Sequence, residues 1–164
     1  MTNWIIIFSL CALTSFKIGR IDMNEVRNLY HLAAGSENCC QKLIDISTGF
    51  NTNPVLLGYE ASGTMLMAKH VFNPFTKMTY FKKGKEMLEK AIATDNNNIE
   101  LRFLRFAAQT NMPSFLGYSN HIESDKNFIV SSFPRIKDEN LKSFMLPVLM
   151  QSKYLTSKEK QQLY

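Results

Sequence analysis

The stretch FKKGKEMLEKAIATDNNN, residues 81–98, decides the fold. Phe81, Gly84, Met87, Leu88, Ala91 and Ile92 recur at steps of three and four, the spacing that gathers side chains on one face of an α-helix, and Tyr80 joins them. On the other face Lys82 and Glu86, Lys85 and Glu89, and Glu86 and Lys90 stand four apart with opposite charge, an arrangement that supports a solvated helix surface. The pattern predicts a helix over Lys77–Thr94, after which Asp95-Asn96-Asn97-Asn98 turns the chain.

Working outward, the same period of three to four continues and no period of two appears, so the chain reads as all-α with about seven helices. A first helix over Asn24–Ala34 sets Val26, Tyr30 and Ala33 on one face and stops at Gly35. Ser36 is an N-cap for a second helix through Cys40, Leu43 and Ile44. STGFNTNP breaks that helix, and Pro54 opens a third that runs through Leu57, Ala61, Met65, Ala68 and Val71 until FNPF ends it. Beyond the quoted stretch, helices are predicted over Ile99–Gln109, His121–Ser132 and Asp138–Leu149, the last interrupted at Pro147. Thr156 with Glu159 makes a capping box for a short closing helix. The strings NPVLLGY at 53–59 and MPSFLGY at 112–118 look alike, but no position keeps matching past Tyr59 and Tyr118, so they are recurring turn chemistry rather than a duplicated unit.

The quoted stretch resembles the second helix of a tetratricopeptide repeat and the turn after it. Gly84, Leu88, Ala91, Asp95 and Asn98 match the small, large, small and turn positions of that pattern, and Asn96 departs from it where proline is usual. The helix from Pro54, with Gly58 and Tyr59, looks like the first helix of the same repeat, although the FNPFTKM link is longer than the standard turn. The likeness covers residues 54–98 well and extends to the flanking helices by analogy. It implies antiparallel helix hairpins stacked as a short right-handed solenoid, and a protein-interaction scaffold rather than a catalyst. The carboxylate clamp of some such repeats is not carried over, because Glu100 stands where a basic residue would be wanted. The chain from Leu56 to Tyr118 is also similar to a group of short exported bacterial proteins, which implies a shared fold and no activity.

The totals agree with one folded domain over residues 23–164. The 164 residues are 45% hydrophobic and 12% aromatic with seven Gly and five Pro, which excludes disorder and collagen-like repeats. Nineteen Lys plus Arg stand against fourteen Asp plus Glu, a net charge of +5 spread without blocks, which argues for a solvated basic face and against a nucleic-acid footprint. Trp4–Phe16 is an uncharged apolar run too short for a membrane span, so residues 1–22 read as a signal peptide cut between Ser15 and Asp22. The mature chain is then expected in the periplasm or cell envelope, touching a membrane only through an uncleaved leader. If translation starts at Met23 the chain is cytoplasmic. Leu10 before Cys11 argues against lipidation, and adjacent Cys39 and Cys40 form no disulfide framework; one is expected buried and one at the margin.

Candidate chemistry is sparse. His31, His70 and His121 lack metal-ligand spacing, the glycines form no phosphate loop, and no serine sits in a nucleophile elbow, so neither cofactor, metal nor catalysis is expected. His70, near a helix end, is a partner for a C-terminal dipole. The informative helix is NIELRFLRFAAQ, residues 98–109, apolar nearly all round except for the narrow stripe Arg102, Arg105 and Gln109. Two guanidinium groups there either pair with structural carboxylates or line a groove for an acidic ligand or a chain terminus. Glu60, an acid in an otherwise apolar helix, is expected to face them, with Asp125 as a further acid within the chain. Phe115 and Tyr118, on a surface loop, either tuck into the core or form a binding rim. The expected partner-binding set is therefore Glu60, Arg102, Arg105, Gln109, Phe115 and Tyr118, for a protein or peptide. Two alternatives stand beside it: electrostatic binding of nucleic acid or an anionic membrane through the Lys-rich face of the fourth helix, and an enzyme without a recognisable motif.

Overall fold

The computed structural model describes residues 21–50 and 52–164 of the chain, so the expected leader, with Cys11, lies almost wholly outside the described residues. Within them are eight α-helices and no strand: α1 (Met23–Ala33), α2 (Glu37–Ser47), α3 (Pro54–Met67), α4 (Pro74–Thr94), α5 (Ile99–Asn111), α6 (Ile122–Ser132), α7 (Glu139–Gln151) and α8 (Ser157–Gln161). Single turns of 3-10 helix at Ser114–Leu116 and Phe133–Arg135 flank α6.

Most helices begin where a short polar side chain can take up unpaired amide groups. Asp22, Ser36, Asn53, Asn73, Asn98 and Asp138 each accept from the first turn that follows, and Thr156 with Glu159 forms both halves of a capping box. Two boundaries differ from the sequence expectation for this reason. FNPF does not close the third helix, which ends at Met67. Asn73 accepts from Phe75 and Thr76 at 2.8 and 3.3 Å and Pro74 takes the first turn, so the same residues open α4 ahead of Lys77. Nor does Pro147 interrupt α7: it and Ser143, whose carbonyl loses its amide partner, are both exposed, and water can satisfy that oxygen.

At the centre lies α3, buried almost all round and touching α4, α2, α5 and α1. Its approach to α4 depends on the glycine of the quoted stretch: a Cβ on Gly84 would meet the Ala61 carbonyl oxygen at 2.5 Å and the Met65 nitrogen at 2.8 Å. Gly58 does the same toward α5, where an added Cβ would sit 2.5 Å from Leu101. Gly58 lies near Leu88 while Met65 lies near Gly84, so later residues of α4 run against earlier residues of α3. Tyr59, Phe103, Phe106 and Phe133 are fully buried, each contributing about 2–3 kcal/mol of apolar burial. Cys40 is buried and donates to the Gly63 carbonyl at 3.1 Å, whereas Cys39 lies at the margin; both are free thiols.

Candidate functional site

Two polar clusters and one apolar cleft are the features with chemical character. The first cluster grows from the α5 stripe. Arg105 is 3% exposed and grips Asp125 with Nε and Nη2 at 2.7 and 2.9 Å, while its Nη1 reaches Glu89 at 2.7 Å. Arg102 adds Nη1 to Asp125 at 2.8 Å and lies over the Phe128 ring. Tyr118 donates its hydroxyl to Glu89 at 2.7 Å, and the Gln109 side-chain oxygen accepts from the His121 amide at 3.2 Å. Burial opposes the charge on Arg105, but its bonds to Asp125 and Glu89 outweigh that and hold its pKa above the usual value. Burial pushes the Tyr118 hydroxyl up as well, and the Glu89 carboxylate adds to it. Two atoms stay unpaired, Arg102 Nε and Gln109 Nε2.

The structure thus brings Arg102, Arg105, Gln109 and Tyr118 together, around Asp125. Glu60 does not join them, contrary to expectation: both arginines pair elsewhere, and Glu60 only offers its backbone carbonyl to Thr64. The reason is angular. Leu101 and Leu104 of α5 face Gly58 of α3, and the stripe lies about 100° further round the helix, toward α6.

The second cluster was not anticipated. Arg27 of α1 binds Glu100 of α5 through Nε at 2.8 Å and Nη2 at 3.0 Å, and reaches Asp138, the cap of α7, at 3.0 Å. Tyr59 of α3 donates to the same Glu100 carboxylate at 2.6 Å. Desolvation, then the Glu100 charge, pushes the Tyr59 hydroxyl well up. The signal for it was present: Arg27 sits beside Val26 on an apolar face, and Glu100 opens a helix otherwise wrapped in core.

The cleft lies where the C-terminal ends of α1, α3 and α5 approach the first turns of α4. It encloses about 650 Å³, with Tyr30, Met65, Met78 and Met112 in its walls and Phe115 at its edge. Of the residues singled out in the sequence as partner-binding, only Phe115 lines it. Phe115 is 82% exposed, while Tyr118 three residues on is 5% exposed and packs edge-on against Phe81, so of the two rings on the loop only Tyr118 tucks into the core. Burial pushes the Tyr30 hydroxyl up to about 12, so it stays neutral across the ordinary range. His70 is not free for chemistry: its Nε2 lies 2.8 Å from the Ala33 carbonyl at the end of α1. Among the described residues no three His, Cys, Asp or Glu side chains gather as a metal would require, and no helix is long and apolar enough to cross a membrane. Compared with known proteins, the chain matches no family model, no curated protein and no solved structure.

Proposed function

We propose that this chain is a non-enzymatic, tetratricopeptide-like scaffold of the cell envelope that holds a partner protein or peptide in the apolar cleft. The observation that carries the reading is the origin of the cleft walls: α1, α3, α5 and, through Val148, α7 contribute, which would be the first helices of successive pairs in such a stack, and the first turns of α4 complete the walls. In a stack of helix hairpins the first helices line the concave face, where such scaffolds take their ligands. The contacts of α1 with α2, α3 with α4 and α5 with α6 support the pairing, as does the close approach of Gly84 to Ala61. The polar clusters are less suited to the role, because their carboxylates and guanidinium groups are already engaged with one another.

Site-specific photo-cross-linking in intact cells tests the reading, with the reactive side chain at Phe115 or Met78 of the cleft and at Ser131 on the exposed face of α6. A shared, discrete adduct from the two cleft positions and none from Ser131 is the expected outcome. Adducts absent from the cleft, or the same from all three positions, would overturn it.

A further inference from the structure

The partner's chemistry is written in the walls and rim of the cleft. Met65, Met78 and Met112 line it, flexible thioethers that repack around whatever apolar side chain arrives. Phe115 stands exposed at its edge, and Phe72 and Phe75, 98% and 84% exposed, flank Pro74, which lines it. Exposed rings on the cleft lining or within two residues of it in sequence leave apolar area in water that a partner's apolar face would cover. A free fatty acid could fill the interior but would leave Phe72 and Phe75 bare. The charges at the rim have one sign: Lys69 and Lys77 line the cleft, and no Asp or Glu does. Glu89, further along α4, is occupied by Arg105 and Tyr118.

Resting on the reading of the cleft as a protein-binding groove, we infer that its occupant is an amphipathic helix of a partner protein, with glutamate or aspartate flanking its apolar face. Apolar side chains at i, i+3, i+4 and i+7 insert among the methionines, the exposed phenylalanines cover the helix ends, and Lys69 and Lys77 meet the acidic flanks. Opposite charge at the rim sets which amphipathic helix is accepted, since the apolar contacts alone would take any.

Fluorescence anisotropy with the full chain tests this, using a labelled synthetic helix with Leu at those positions and Glu on its flanks, its twin with Lys for every Glu, and oleate as competitor. The Glu helix is expected to bind at least about tenfold more tightly than the Lys twin, with affinity falling as salt rises. The double variant Lys69→Glu, Lys77→Glu, both exposed positions, should invert that order, and Met112→Asp should weaken both peptides. Equal binding of the twins, or a preference untouched by the charge reversal, would overturn the inference. So would oleate binding without peptide binding, or a Phe115 cross-link to residues 4–16 of the same chain or to a second copy. The two levels separate cleanly: cleft adducts that survive the charge reversal unchanged leave the groove standing and remove its acidic partner, whereas no cleft adduct removes the groove itself.

Discussion

Two faces of α5 have opposite characters. On one, Arg102, Arg105 and Gln109 carry the charge and polarity that first draw attention, yet the charge is consumed internally by Asp125 and Glu89. On another, toward the C-terminal end, Ala108 and the following Met112 carry none, yet they border a cleft of about 650 Å³ with an exposed phenylalanine at the edge. A buried charge must be matched within the fold or it destabilises the fold, so buried ion pairs are weak pointers to binding. Apolar surface left uncovered has no such internal answer, and it marks the more informative region.

The largest effect should come from breaking the matched region. Asp125 is fully buried between two guanidinium groups, so Asp125→Ala should cost about 3–5 kcal/mol in chemical denaturation, with Arg105→Met added to it recovering part of the loss. Glu60→Gln, by contrast, should shift stability by no more than about 0.5 kcal/mol. A large loss at Glu60 with none at Asp125 would reverse the assignment of the cluster.

Next in size is the α1–α5 cluster. Replacing Glu100 by Gln keeps an acceptor for Tyr59 but leaves the buried Arg27 without its full counter-charge, and a loss of about 2 kcal/mol is expected. Arg27→Met with Glu100→Gln should be milder than the single change, because the uncompensated charge is gone. Additive losses would show that the pair is not coupled.

Much of the fold was legible because helix formation is local: the spacing of Phe81, Gly84, Leu88 and Ala91 and the caps Ser36 and Thr156 act within a turn or two. Asn73-Pro74 was misread as a stop because the same two residues serve equally as a start, and only the packing of α4 chooses. The stripe on α5 was legible as polar, and Asp125 was among its candidate acids. The failure of Glu60 was not, since it depends on how α5 is rotated against α3, a matter settled by Gly58 admitting Leu101. The cleft was least visible, because it is assembled from the ends of helices far apart in sequence, and of its lining only Phe115 stood out as a candidate.

A smaller effect separates the regions in the other direction. Phe115 is exposed, so Phe115→Ser should leave the thermal midpoint nearly unchanged, within about 0.5 kcal/mol, while removing most binding of the Glu-flanked helix. Loss of stability comparable to that of Asp125→Ala would mean that Phe115 belongs to the core.

The smallest effect is a response to acid confined to the polar side of the molecule. The Thr156 backbone amide, first, and then the Lys126 ammonium hold the Glu159 carboxyl down to about 2, and through Lys126 this bond ties α8 to α6 next to Asp125. A carboxyl depressed in the folded chain stabilises it at pH values above its unfolded pKa, and that contribution is lost as pH falls through the folded value. The tie should therefore be intact above about 4.5, weaken below it and vanish near 2. Protection of the amides of residues 157–163, measured against their intrinsic exchange rate at each pH, should fall over that window. Glu159→Gln should show fast exchange already at neutral pH, since an amide cannot replace the ionic bond to Lys126. Amides lining the cleft, where no Asp or Glu stands, should not share that transition. Loss of protection at both places together, at one pH, would mean that the two regions open as a single unit and that their separation along α5 is only one of chemistry.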